Sequence, residues 1–155
     1  MPDLNDELKA LIWSLNDNRV AYALCGGLAL AVHGLTRATV DIDLLIPRES
    51  LAAAKYVAHE LGYTIDAALM NFAGGAVEIR GVLKVDSDSG ETLMLDFLLV
   101  SEALPKVWET REKVEWEQGS LWVVSRSGLV ALKSLRRSGQ DLDDIERLTE
   151  GSDEA

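Results

Sequence analysis

Leu4, Leu8, Leu11, Ile12 and Leu15 fall three or four residues apart, which predicts an amphipathic helix over residues 4–17. Residues 20–25 form a short apolar run of strand type. Gly26-Gly27 breaks it, and residues 28–33 read as a helix leaving that turn. Asp41–Ile46 is a second strand, closed by Pro47. The Ala-rich residues 49–61 are a helix stopped by Gly62, and 63–65 a short strand. Val77–Val85 and residues 92–100 are strands joined by the turn 86–90, which makes a hairpin. Residues 102–111 suggest a short helix, and 113–117 pairs with 120–124 around Gly119. Ser127 has the character of a cap for a helix to about Ser138, ended by Gly139; residues 142–148 form a last short helix. Helices alternate with strands and hairpins, so the expected class is α+β, with helices packed on a mixed sheet. No repeat or Pro-rich linker divides the chain, which reads as one domain over 1–150 with an acidic tail at 151–155.

Two strands carry carboxylates where apolar residues belong. Asp41 and Asp43 alternate with Val40, Ile42 and Leu44, so both point to one face of their strand. Asp96 interrupts the run Leu93-Met94-Leu95 and Phe97-Leu98-Leu99-Val100. A buried, unpaired carboxylate costs several kcal/mol or takes up a proton, and two side by side repel. A divalent cation offsets both penalties, and hard oxygen ligands suit Mg²⁺ or Mn²⁺. Two ions roughly 4 Å apart would be bridged by Asp41 and Asp43, with Asp96 completing the second position. A plainer reading stays open: an Asp41–Arg37 ion pair, and Asp96 at a wet strand edge.

Upstream, Gly26-Gly27 sits between a strand and a helix. Glycines there permit a tight turn and close backbone approach, and the amides of the helix start form a phosphate cradle. A turn alone would explain them. The pairing of a phosphate cradle with carboxylates on the next strand is what a nucleoside triphosphate requires.

Length and composition narrow the setting. The 155 residues are 48% hydrophobic and 26% charged, an ordinary globular balance. Cys25 is the single cysteine, so no internal disulfide exists, and its apolar run predicts a small buried side chain in a reducing compartment. No stretch is apolar enough to span a bilayer, and the acidic, helix-patterned N-terminus is unlike a signal peptide. The expected location is the cytoplasm, without a membrane partner. A net charge of −11 argues against duplex DNA and suits a cationic small molecule or a protein; an RNA end in a local cleft stays compatible.

Residues 26–44 read Gly-Gly-Leu-Ala-Leu-Ala-Val-His-Gly-Leu-Thr-Arg-Ala-Thr-Val-Asp-Ile-Asp-Leu. This resembles the nucleotidyltransferase superfamily signature: paired glycines on a turn, a helix, then Asp-x-Asp on a strand, with Asp96 matching the third carboxylate. The nearest likeness is to the AbiEii/AbiGii-toxin-like bacterial nucleotidyltransferases, which share the paired glycines, His-Gly, an arginine and Asp-Ile-Asp. They also carry a later helical lysine, here Lys133, and a following Asp-rich stretch, here Asp141, Asp143 and Asp144.

The resemblance implies a polymerase-beta-like nucleotidyltransferase fold and an Mg²⁺- or Mn²⁺-dependent transfer of a nucleoside monophosphate from NTP to an acceptor hydroxyl. Gly26 and Gly27 would hold the outer phosphates, Asp41 and Asp43 the metal, and Asp96 would ligate metal and act as base. Lys133 would contact the triphosphate; a lysine at the edge of an amphipathic helix is its plain alternative. Arg37 would touch phosphate or brace its strand. His33 is expected to be packed and hydrogen-bonded, Asp86 and Asp88 to shape a hairpin turn, and the Asp-rich stretch to be a solvated helix start. Toxins of this group carry more helical sequence after the sheet, so an acceptor (tRNA, protein or small molecule) would be held by a partner such as an antitoxin, by a second subunit, or by nothing. Aminoglycoside and lincosamide nucleotidyltransferases share a similar pattern, but Leu28 stands where they often have tryptophan. A non-catalytic nucleotide- or partner-binding module of the same fold is the third reading.

Overall fold

Helix α1 (Leu4–Asp17) starts at Asp3, whose carboxylate accepts from the amides of Asn5 (2.9 Å) and Asp6 (3.4 Å). Those are amides without an intrahelical partner. Its buried face carries Leu8, Leu11, Ile12 and Leu15, as the spacing predicts. Each such side chain contributes on the order of 1.5–3 kcal/mol by leaving water. The computed structural model describes residues 3–34, 41–67, 69–72, 77–101, 105–117 and 119–136. Arg37, Asp141, Asp143, Asp144, Gly139 and the helix expected over 142–148 lie outside them.

After α1 come β1 (Ala23–Cys25), α2 (Gly26–Val32) and β2 (Asp41–Ile46). A 3-10 turn (Arg48–Ser50) leads into α3 (Leu51–Glu60). Then follow β3 (Ile65–Asp66), β4 (Met70–Phe72), β5 (Val77–Val85), β6 (Thr92–Leu99), α4 (Pro105–Glu109), β7 (Glu112–Trp116), β8 (Gly119–Val123) and α5 (Arg126–Arg136). The strands form one sheet in the order β3-β5-β6-β2-β1-β8-β7, with β4 also paired to β5. The β1/β8 and β2/β6 pairs are parallel and the others antiparallel, so the sheet is mixed, as expected.

Both expected hairpins are present. In the first, Asp86 accepts from the amide (3.1 Å) and hydroxyl (2.7 Å) of Ser89 and so shapes the turn. The structure differs in several places: the strand expected over 20–25 is only Ala23–Cys25, and that expected over 63–65 is Ile65–Asp66. Helix α2 begins at Gly26 rather than after the glycine pair. The sequence shows no strand over β4, which is three residues long. The cap of α5 is Ser125, not Ser127: its hydroxyl accepts from the Gly128 amide at 3.1 Å.

Helix α1 ties the sheet together across its width. Near one end, Glu7 accepts from Lys84 on β5 (2.8 Å) and from the Tyr63 hydroxyl (3.0 Å). Near the other, the Asn16 amide donates to the Ser120 carbonyl on β8 (2.9 Å). The central strands β1, β2 and β6 carry the fully buried Leu24, Leu44, Leu45, Ile46, Leu95 and Phe97. Among the described residues, no helix is long and apolar enough to cross a membrane.

Candidate functional site

Strand register places the site. Cys25 on β1 stands beside Asp43 on β2, Asp43 beside Asp96 on β6, and Asp96 beside Gly81 on β5. Side chains in such a lateral row share one face of the sheet. Four strands therefore bring a thiol, two carboxylates and a glycine into line.

Asp41 and Asp43 are half-buried while Ile42 and Leu44 between and beyond them are buried, so the alternation expected of this strand holds. Asp43 hydrogen-bonds the side chain of Asp96. Burial first, and then the negative charge of Asp41, push the Asp96 carboxyl above the ordinary carboxylate range; the bond to Asp43 opposes them. Neighbouring carboxylates disfavour each other's charge, which is the direction seen here. Among the described residues, no three His, Cys, Asp or Glu side chains are gathered as a ready-made metal cage. Two carboxylates touch, and the third acts on them through its charge. A divalent cation there would offset the repulsion between the carboxylates.

Glycine makes both contacts possible. Gly26 has φ +71, in the left-handed region, and a methyl group on it would fall 2.2 Å from Asp43 Oδ2. Gly81 leaves room for Asp96: a methyl group there would fall 2.9 Å from Oδ1. Gly26 thus serves as more than a turn, because its bare α-carbon packs on the carboxylate. Cys25 supplies no side-chain cap to α2, and Gly27 is buried in the first turn.

A cavity of about 440 Å³ opens over this row. Gly26, Asp43, Asp96 and Lys133 all line it, so four of the residues singled out in the sequence meet in one space. Lys133 is 7% exposed and lies with Leu129 and Leu132 on α5, positions one helical turn apart that form the opposite wall. The lysine is a cavity residue rather than one reaching outward at the helix edge. Cys25 is buried, as expected.

Sequence reasoning missed the apolar wall formed by Met70, Ile79 and Leu98, with Asn71 beside it. Period-two counting finds two of these, since Leu98 follows Asp96 by two and Ile79 precedes Gly81 by two. Met70 and Asn71 belong to β4, for which the sequence carries no signal. His33 proves structural: its Nε2–H donates to the Val124 carbonyl (2.8 Å), and its own carbonyl accepts from Arg126 (2.7 Å).

No family model matches the chain, and no curated protein sequence matches it. Solved structures do. A candidate nucleotidyltransferase from Thermotoga maritima superposes with a TM-score of 0.63 at 15% identity, over 97% of this chain and 93% of that one. ANT(2″)-Ia in complex with adenylyl-2″-tobramycin superposes with a TM-score of 0.60 at 14% identity, over 91% and 84%. JHP933 from Helicobacter pylori gives 0.57 at 19%, over 94% of this chain and 64% of that one. The chain has the nucleotidyltransferase fold, the class expected from its residues.

Proposed function

We infer that this chain is a nucleotidyltransferase, moving a nucleoside monophosphate from an NTP to an acceptor hydroxyl with the help of Mg²⁺ or Mn²⁺. The observation that carries this reading is the contact of Asp43 with Asp96 across adjacent strands, capped by the bare α-carbon of Gly26 and faced by Lys133. Adjacent carboxylates are a hard-oxygen donor set, and Asp41 adds a third charge. Asp41, Asp43 and Asp96 would hold the metal, which supplies charge neutralisation at the phosphate under attack. Asp96 would be the base: burial and the charge of Asp41 raise its carboxyl above the ordinary carboxylate range, which strengthens the carboxylate as a proton acceptor. Gly26, Gly27 and Lys133 would take the outer phosphates, with Arg37 as a further contact.

Calorimetry with each NTP and Mg²⁺ tests this. Saturable binding that needs the cation and is lost in Asp41→Ala and Asp43→Ala is the expected result. Binding that ignores both substitutions leaves a nucleotide- or partner-binding module without catalysis.

For the acceptor, a toxin-like transfer to tRNA or protein follows from the sequence likeness to the AbiEii/AbiGii-type group, which implies an antitoxin partner. A second reading, transfer to an aminoglycoside, is favoured by the structural likeness to ANT(2″)-Ia bound to adenylyl-2″-tobramycin and by a net charge of −11. Labelled NTP offered with tRNA, protein lysate and tobramycin decides between them.

A further inference from the structure

A second cleft, of about 250 Å³, lies at the other end of β1, where Arg19, Tyr22, Arg111 and Trp122 meet. Ala21 stands four positions before Cys25, a span of at most on the order of 13 Å. No Asp or Glu lines this cleft, although the chain carries 26 of them.

Of its two guanidiniums, that of Arg111 is held in place, while Arg19 is exposed. Arg111 is stacked between two indoles, 3.9 Å from the Trp108 ring centre and 4.7 Å from that of Trp122. One of its terminal nitrogens donates to the Trp108 carbonyl at 2.9 Å. Its Nε is buried and has no hydrogen-bond partner. A ligand in the cleft would therefore meet the terminal nitrogens of Arg111 rather than its Nε. Arg19 ends α1 in the left-handed conformation, φ 56, with the Val20 amide closing back to the Leu15 carbonyl (2.9 Å). Among the described residues, neither arginine pairs with a carboxylate.

The other polar groups are engaged already. The Tyr22 hydroxyl donates to Asn16 (3.1 Å) and accepts from the Trp122 amide (3.3 Å); the Asn16 amide donates to Ser120. What the cleft offers is therefore two guanidinium cations and, among the described residues, nothing negative. We propose that it is a binding site for a phosphate dianion, either free phosphate or the terminal phosphate of a nucleotide. Guanidinium forks match phosphate oxygens two at a time, and two positive charges balance a dianion where a carboxylate would balance one. The site stands apart from the aspartates and does not rest on the transfer reaction.

Calorimetry of the full chain at low salt and about pH 8, where phosphate is doubly charged, tests it with inorganic phosphate, AMP and acetate, without metal. One-to-one phosphate binding is expected, weakened about tenfold or more by Arg19→Gly and unchanged by Asp43→Asn. Arg19→Gly suits the left-handed backbone, so a loss of binding there does not come from misfolding. Arg111→Lys, which keeps a charge between the indoles but loses the fork, is expected to weaken binding as well. AMP binding that is tighter than phosphate and weakened alike by Arg19→Gly names a nucleotide as the source, and equal affinities name the phosphate group alone. No saturable binding of either, binding indifferent to Arg19→Gly, or acetate binding as well as phosphate overturns the proposal.

Discussion

The α-carbon of Gly26 rests against the carboxylate of Asp43, so closely that a methyl group there would fall 2.2 Å from Oδ2. The backbone adds a second barrier, because φ +71 is unfavourable for any residue with a β-carbon. Gly26→Ala is expected to lose about 1–3 kcal/mol of stability and to swing Asp43 away from Asp96. Urea unfolding reads the first effect. The second predicts nucleotide transfer as poor as that of Asp43→Ala; transfer at the native rate would break the link between this contact and the reaction.

Gly81 separates crowding from strain. Its backbone lies outside the left-handed region, so alanine is acceptable there on conformational grounds. Space is the obstacle: the new methyl would meet Asp96 Oδ1 at 2.9 Å, the Ala67 β-carbon at 3.1 Å and the Met94 sulfur at 3.2 Å. Gly81→Ala is expected to fold, with a cost of about 1–3 kcal/mol from overpacking. It should lower transfer through the displaced Asp96 carboxylate while leaving Arg19 and its cleft untouched.

These contacts explain what the sequence could and could not disclose. Asp41, Asp43 and Asp96 stand out because a charge among apolar strand residues demands a reason, and period two fixes which of them share a face. Gly26 is visible as a break, but its contact with Asp43 depends on the register of β1 against β2, a non-local fact. Ser127 was the expected cap of α5 because serine suits such positions, yet Ser125 two residues earlier serves equally well by type and is the one whose hydroxyl meets the Gly128 amide. Strand β4 was hidden because three residues, Met70–Phe72, are too few to set a period. The cavity wall of Met70 and Asn71 was hidden with it.

Arg19 occupies a position that helix termination assigns to glycine. Relieving the left-handed strain outweighs the extra chain entropy of glycine in the unfolded state. Arg19→Gly is expected to stabilise the chain by about 0.5–1 kcal/mol, seen as a higher urea midpoint with an unchanged slope. A stability loss would mean that the arginine contributes packing which this geometry does not reveal.

Tyr63 sets an alkaline limit. Burial first, then the charge of Glu7 and the hydrogen bond to it, raise the phenol above its ordinary value. Below about pH 10 the tyrosine is protonated both folded and unfolded, and its contribution is whole. Above that the unfolded chain ionises while the folded one resists, so stability falls as pH rises, by up to about 1.4 kcal/mol per pH unit. Tyr22 is raised too, again chiefly by burial, and adds its own share. Tyr63→Phe is expected to be about 1 kcal/mol less stable at neutral pH, having lost a hydrogen bond, yet to decline less steeply between about pH 10 and 12. Parallel declines for variant and native chain would refute the assignment.

Lys133 decides whether the cavity serves a polyanion. It is almost fully buried on α5, in a wall otherwise made of Leu129 and Leu132, and it shares the cavity with Asp43 and Asp96. A structural lysine and a phosphate-binding lysine would respond differently to Lys133→Met, which keeps an unbranched chain of similar reach and removes the charge. If the ammonium binds the triphosphate, NTP affinity falls by about 10–100-fold, the worth of one charged hydrogen bond. Thermal stability without nucleotide then changes little, because methionine fills the same apolar wall. If the ammonium only neutralises its carboxylate neighbours, the order reverses: the melting temperature drops while NTP affinity stays near native. Measuring both quantities on one preparation, with Lys133→Arg as the charge-retaining partner, distinguishes the two roles.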